Sequence, residues 1–370
     1  MSELKKERLV VFDFIRVVAI LLVVLCHTLK VEDLPIKLDW MGILGNSLFF
    51  FISGYLIYLN NSKISSIKDI FSFYKKRVIR IYPLYIFAIL CFFIVSFFVG
   101  DIIVLGNITD YSLFEIIISV LGLQMVFLNQ MSGGLLLWFI GMIIVYYLIY
   151  PIVMYISKNS PVKYLIYSSL AICMLFLAKT LFGIFGSGIF AYYFLFVAGV
   201  IFAWYNIFQS KYRNKLSILS GVIFVIGALL IQFCNMPISG IENITSLNII
   251  SFLDAGFRVA FKLLFGISTA FVIYDIYSHV KLNSTITSLI INMSTASYAV
   301  YLFHCQIMAI FDNIISLTGN TFSDILFLPI IYDVLLMSVF IPLIFVIGYF
   351  LQKGENICIK KIKMKFSTKH

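Results

Sequence analysis

Residues 9–29 read LVVFDFIRVVAILLVVLCHTL, an apolar stretch long enough to cross a bilayer as one α-helix. Three ionisable side chains interrupt the stretch, namely Asp13, Arg16 and His27. We do not expect a cleaved signal peptide, because the stretch is long, carries charges and lacks a small-residue cleavage site. It predicts a membrane-spanning helix whose polar groups face protein rather than lipid.

The rest of the 370-residue chain has the same apolar character. Hydrophobic residues make up 62% of the sequence and charged residues only 12%. A soluble domain carries about twice that share of charge, so too little polar surface is available for a water-soluble fold. The apolar blocks are about 20 residues long, which favours helices over the alternating strands of a membrane barrel. The expected fold class is therefore all-α and polytopic, with about ten transmembrane helices.

The distribution of charge sets the expected topology. The net charge is +10 and both ends of the chain are basic, so the positive-inside rule places both termini in the cytoplasm. That placement requires an even number of crossings, whereas the apolar blocks number about eleven. The block at 113–128 is the shortest and follows Asp110. We predict that this block is a re-entrant or interfacial segment on the outer face of a multi-pass cell-membrane protein.

The ionisable residues of the first helix form a polar stripe. Asp13 and Arg16 are three residues apart, so their side chains can pair. The spacing from Arg16 to His27 is within about 20° of three full turns and about 16 Å along the axis. These two residues therefore share a face at two depths, and we expect that face to line a cavity. The alternative is a structural Asp13–Arg16 pair with His27 at the membrane interface.

Four further motifs follow in chain order: FFFISGY at 49–55, YKKRVIRIYP at 74–83, LWF at 137–139 and SYAVYLFH at 297–304. Together with FDFIR at 12–16 and with His27, these motifs resemble the membrane acyltransferase-3 family. The resemblance rests on the combination of motifs and extends over about 8–351. It is closest to the branch of the family that modifies exported polysaccharides or lipid-linked glycans.

The resemblance implies an integral membrane O-acyltransferase. The implied donor is cytoplasmic acyl-CoA, above all acetyl-CoA, which acts as a co-substrate rather than as a bound cofactor. The implied acceptor is a hydroxyl of an extracytoplasmic or lipid-linked glycan, and no nucleic-acid partner is expected. One acyltransferase domain is expected over 1–370, with a core at 8–352 and a basic cytoplasmic tail at 353–370. Direct transfer and transfer through an acyl-enzyme are both open.

Residue by residue, the resemblance points to Arg16 and His27 as catalytic residues and to Arg77 and Arg80 as donor-binding residues. Weaker candidates come from the other motifs: Ser53, Gly54, Trp138, Tyr301 and His304. Many relatives carry a Glu five residues after the tryptophan of the fifth block, where this chain has Ile143. Any role of that Glu must be absent here or filled by another residue.

The chemistry of acyl transfer agrees with the catalytic candidates. A histidine is the usual base for removing a hydroxyl proton near neutral pH, a role that suits His27. A cation stabilises the developing oxyanion or orients the thioester, a role that suits Arg16. Asp13 would hold Arg16 in place and offset its charge.

The cationic cluster after the second span has two interpretations. The guanidinium forks of Arg77 and Arg80, together with Lys76, suit the phosphates of CoA. The alternative is a topology signal or a contact with anionic lipid.

Several polar residues are assigned less specifically. His304 in the ninth span is either a core residue or a functional one. Arg258 and Lys262 share a face of the eighth span, where they either bind an anionic acceptor or pair with an acid such as Asp254. Asp333 in the last span is unassigned. The six cysteines show no CxxC or Cys/His metal spacing, so we expect core residues and no metal site.

An exporter of polysaccharide or lipid-linked sugar is the alternative function, because intramembrane charges also suit a transport path. Only an enzyme needs both a base at His27 and a phosphate-binding cluster at Arg77 and Arg80. Binding of CoA therefore discriminates between the two functions.

Overall fold

The computed structural model of the protein describes residues 3–28, 40–99, 112–128, 137–233, 249–317 and 329–367. These residues form twelve α-helices and one 3-10 turn, and no β-strand occurs among them. Ten of the helices are long and apolar enough to cross a membrane. The protein is thus an all-α, multi-pass membrane protein, as the composition predicts.

The ten long helices are α1 (Glu3–Thr28), α2 (Trp40–Asn61), α3 (Ile67–Val99), α6 (Trp138–Ser157), α7 (Pro161–Phe182), α8 (Ser187–Trp204), α9 (Arg213–Phe233), α10 (Ile249–His279), α11 (Ser284–Leu317) and α12 (Pro329–Ser367). Two short helices, α4 (Leu113–Val120) and α5 (Gln124–Phe127), lie between α3 and α6. Ten crossings return the end of α12 to the side on which α1 begins. The described part of the basic tail continues α12 as a helix.

The block at 113–128 does not cross the membrane, which confirms the prediction made from charge. Its chain breaks into α4 and α5 at Gly122, whose φ of 71° favours glycine. A capping box starts α4, because the Ser112 hydroxyl and the Glu115 carboxylate each accept a hydrogen bond from the other's backbone N–H. The hydrogen bonds from Ser112 lower the pKa of Glu115. The segment is held to α3 by Tyr82, which donates to the Leu121 carbonyl at 2.7 Å.

The centre of the bundle is built on close contact between α2 and α8. A Cβ at Gly54 would collide with the carbonyl oxygen of Phe196, and a Cβ at Gly199 would collide with that of Phe51. Small residues let two membrane helices approach backbone to backbone. The glycine of the FFFISGY motif therefore has a packing role at the α2–α8 contact.

Helix α1 packs against α2 on one side and against α11 on another, so it is enclosed by protein. Helices α7 and α9, by contrast, bury few of their residues and lie at the periphery of the bundle. The polar groups of α1 therefore lie in the interior of the bundle, where the polar stripe was expected.

Pro83 interrupts the hydrogen bonding of α3 without ending the helix. Proline has no N–H and disturbs the turn before it, so nearby backbone groups need other partners. The Tyr298 hydroxyl of α11 donates to the Ile81 carbonyl at 2.8 Å. The Leu84 N–H donates to the buried carboxylate of Glu355 on α12 at 3.2 Å. The proline break thus ties α3 to α11 and α12.

Candidate active site

The seam between α1 and α11 carries a first polar level at Asp13 and Arg16. Arg16 Nη1 lies 3.4 Å from Asp13 Oδ1, which confirms the pair expected from their spacing. Ser294 of α11 completes a closed triangle, since its hydroxyl accepts from Arg16 Nη1 at 2.9 Å and donates to Asp13 Oδ1 at 2.6 Å. Arg16 is therefore held both by charge and by hydrogen bonds.

A second polar level lies further along the same seam. The rings of His27 on α1 and His304 on α11 have centroids 5.2 Å apart. His304 is buried, and its Nδ1 lies 2.8 Å from the carbonyl oxygen of Tyr301. Its Nε2 lies 3.1 Å from Sγ of Cys305, which is also buried.

The two levels show that α1 and α11 run in the same direction. Ser294 meets Arg16, and His304, ten residues later, meets His27. At 1.5 Å per residue the levels are about 15 Å apart. Arg16 and His27 therefore share one face at two depths, as their spacing predicts, and α11 covers that face.

The guanidinium of Arg77 lies in an aromatic clamp, 5.2 Å from the centroid of the Phe73 ring and 5.4 Å from that of Tyr147. Its Nε is buried and has no hydrogen-bond partner among the described residues. Arg80, one turn further, is exposed and lies close enough to Arg77 and Arg16 to act on their charges. The cationic cluster thus extends to the first polar level of the seam.

Lys76 lines a cleft of about 250 Å³ between the end of α2 and the start of α3. Asn60, Asn61 and Lys63 also line it. Arg77 instead turns toward Tyr147 on α6. The cations proposed to bind the donor therefore lie at the same end of α3 but not at one point. Lys76 lines the cleft, whereas Arg77 contacts Tyr147.

The remaining motif residues form an aromatic wall beside the second level. Tyr301 contacts His304 and Phe139, with ring centroids 5.9 and 5.0 Å away. Trp138 starts α6 and lies 6.3 Å from the Tyr192 ring. Two other motif positions are packed within helices: Ser53 is half-buried on α2, and Ile143 is a core residue of α6.

The two cations of α10 have different partners. Arg258 forms an ion pair with Asp254 at 2.8 Å, which is one of the two alternatives drawn from the sequence. Lys262 is only 5% exposed, and its Nζ lies 5.2 Å from the centroid of the Tyr192 ring. Lys262 therefore faces the aromatic wall rather than lipid. The side chain of Asp333 lies outside the described residues.

The cysteines differ from the expectation of core residues, because Cys173 and Cys358 are exposed. Cys173 faces outward on the peripheral helix α7, where an apolar thiol is compatible with lipid, and Cys358 lies in the basic tail that continues α12. Cys234 lies outside the described residues.

The second level also brings together three side chains whose types are common metal ligands. Ligand atoms of His27, His304 and Cys305 all lie within 4.8 Å of one another. Nitrogen and sulfur donors of this kind suit zinc or copper. Sequence spacing missed this cluster because His27 lies on α1, far from α11 in the chain.

A bundle of ten long apolar helices with two polar levels at one internal seam defines a multi-pass membrane protein that carries ionisable groups inside its bundle. The sequence model of the acyltransferase-3 family, described as an acyltransferase domain, matches residues 9–349, so the chain belongs to this family. The protein is therefore a membrane acyltransferase. No curated protein and no solved structure matches it.

Proposed function

We propose that the protein transfers an acyl group, in particular acetyl, from cytoplasmic acyl-CoA to a hydroxyl of an extracytoplasmic or lipid-linked glycan. The observation that carries this proposal is the pair of polar levels on the α1–α11 seam. One level holds the half-buried cation of Arg16, and the other holds a base, His27. The acceptor hydroxyl needs a base that takes its proton, and the thioester donor needs a group that orients it as it enters the seam.

The donor end of the proposal rests on the cationic cluster. Arg77 offers a buried Nε without a partner among the described residues, and Arg80 brings a second guanidinium toward Arg16. Cations gathered in this way favour a ligand with several negative charges, such as the phosphates of CoA. Contact with lipid headgroups accounts less well for Arg77, because its guanidinium lies between two rings inside the bundle.

The acceptor end rests on His27. In the proposed reaction the imidazole removes the proton of the acceptor hydroxyl as the oxygen attacks the acyl carbon. Arg16, fixed by Asp13 and Ser294, orients the incoming thioester from the donor side. Trp138, the half-buried member of the aromatic wall, has a flat apolar ring that suits the face of a sugar ring.

Mass spectrometry of surface glycans from cells with and without the protein tests this function. Acyl esters that appear only in cells with the protein support it. Thermal stabilisation of the purified protein by CoA separates the enzyme from the exporter. Two results together would favour the exporter. The first is that millimolar CoA does not stabilise the purified protein, and the second is that the glycans of cells with the protein carry no added ester.

A further inference from the structure

We propose that Cys305 carries the acyl group as a covalent thioester between donor and acceptor. The inference deepens the proposed function and rests on it, since it concerns how the acyl group passes through the site. It follows from the contact between Sγ of Cys305 and Nε2 of His304, which lie 3.1 Å apart. A thiol within hydrogen-bond reach of an imidazole is the arrangement of an activated cysteine nucleophile.

The carbonyl of Tyr301 sets the direction of this contact. A backbone carbonyl can only accept a hydrogen bond, so His304 donates through Nδ1–H at 2.8 Å. In the neutral ring Nε2 then carries the lone pair, and it faces the thiol of Cys305. Within about one turn of α11, the Tyr301 carbonyl orients His304 as the base, and His304 contacts Cys305 as the nucleophile. This chain of contacts is the one that covalent catalysis uses.

Burial suits Cys305 to hold a reactive intermediate. Its side chain is 4% exposed and that of His304 is 3% exposed, so a thioester formed there is shielded from water.

His27 provides a second base for the second half of the reaction. It lies on α1, across the seam from His304, with the two ring centroids 5.2 Å apart. Each imidazole can therefore serve one half-reaction. A covalent intermediate also lets CoA leave before the glycan binds, so the seam need not hold two large substrates arriving from opposite sides.

In the first half-reaction the Cys305 thiol gives its proton to Nε2 of His304. The sulfur forms a bond to the thioester carbon, the bond from that carbon to the CoA sulfur breaks, and CoA leaves with the proton from His304. In the second half-reaction His27 takes the proton of the acceptor hydroxyl. The oxygen bonds to the acyl carbon, the bond to Sγ breaks, and the proton returns to the Cys305 thiolate.

The test uses the full-length protein in lipid nanodiscs, incubated with acetyl-CoA and without acceptor. We expect one acetyl group on the peptide that contains Cys305, sensitive to neutral hydroxylamine, together with release of free CoA. Cys305→Ser and Cys305→Ala should lose the thioester and reduce overall turnover by about 10²-fold or more. The matched control is Cys173→Ser, an exposed thiol on α7, which should label and turn over like the unchanged protein.

Two histidine variants separate this inference from the proposed function. His27→Ala should still acquire acetyl at Cys305 while transfer to the glycan is lost, because only the second half-reaction needs His27. His304→Gln should slow acetylation of Cys305 itself. Near-normal turnover in Cys305→Ala, with His27→Ala inactive, would leave the proposed function standing and overturn the covalent intermediate in favour of direct transfer.

Two other results would also overturn the inference. Acetyl found on Cys26, which lies on α1 near the same cluster, would move the intermediate to another thiol. One equivalent of zinc or copper in the purified protein, with Cys305 refractory to acetylation, would make the cluster a metal centre. If neither the unchanged protein nor any variant transfers acetyl to an acceptor, the proposed function itself is wrong.

Discussion

Arg16 is held inside the bundle by two polar partners, Asp13 on its own helix and Ser294 on α11. The sequence predicts its pairing with Asp13, since residues three apart on a helix are neighbours. It does not predict Ser294, which is 278 residues away in the chain. Spacing along a helix fixes the direction of a side chain but not the helix that covers it. For the same reason the sequence suggests His27 and His304 separately, without their contact.

His27→Ala tests the base at the second level. We expect turnover to fall by about 10²–10⁴-fold, which is the usual contribution of a general base, while the protein remains folded in the membrane. The measurement is the rate of acyl ester formation at equal amounts of purified protein. His279→Ala is the matched control, because His279 is an exposed histidine at the end of α10. Unchanged turnover in the His27 variant would exclude His27 as the base.

Arg80→Ala tests the donor site. We expect the KM for the acyl donor to rise by about tenfold or more, because a hydrogen bond to a charged group contributes about 1.5–3 kcal/mol. Arg80→Lys should keep part of the affinity, since it retains the charge but loses the fork. Lys163→Ala, an exposed cation on α7, should leave the KM unchanged. Normal donor binding in a double Arg77→Ala, Arg80→Ala variant would show that the cluster does not bind the donor and would favour its interpretation as a topology signal.

At the scale of elements, the ten spans and the exclusion of the 113–128 block from them could be predicted, because hydropathy and charge act locally along the chain. The break of that block into α4 and α5 was not predicted. The close contact of α2 and α8 could not be predicted either. The family resemblance singles out Gly54 only as a weaker candidate residue, and the structure alone shows the Phe196 backbone against it. The partners of the Pro83 break, Tyr298 and Glu355, likewise come from helices that are remote in sequence.

Gly54→Ala tests the α2–α8 contact. The new Cβ meets the Phe196 carbonyl, which is backbone and cannot rotate away, so we expect destabilisation of about 1–3 kcal/mol or more. The measurement is the melting temperature of the detergent-solubilised protein. Gly221→Ala on α9 is the control, because a Cβ there has open space within 4 Å. Equal melting temperatures for the two variants would contradict the packing role of Gly54.

Accessibility of single cysteines tests the short helices α4 and α5. Reporters at Tyr111 and Ser132, two positions outside the described residues that flank this segment, should be labelled from the same side of the membrane. A reporter at Asn159, between α6 and α7, should be labelled from the opposite side, because α6 crosses between them. Labelling of Tyr111 and Ser132 from opposite sides would restore an eleventh crossing.

At the scale of the whole molecule, the seam of α1 and α11 carries both ends of the proposed reaction. Arg80, at the proposed donor end, lies close enough to Arg16 to act on its charge, and the facing rings of His27 and His304 lie about 15 Å further along the seam from Arg16. The proposed reaction therefore moves only the acyl group between the two sides, and the glycan never crosses. The sequence predicts the two depths, and the parallel course of α1 and α11 follows from their places as first and ninth of ten spans. Their contact with each other depends on the tertiary fold.

Transfer across sealed vesicles tests this arrangement most directly. Vesicles that contain the protein and the acceptor glycan receive acetyl-CoA labelled in the acetyl group on one face only. We expect labelled esters on the lumenal glycan when the donor is supplied to the face that carries Arg77 and Arg80. We also expect these esters to be lost in the double Arg77→Ala, Arg80→Ala variant. Label that reaches the glycan only when the donor is supplied to the opposite face would show that the donor does not enter at Arg77 and Arg80.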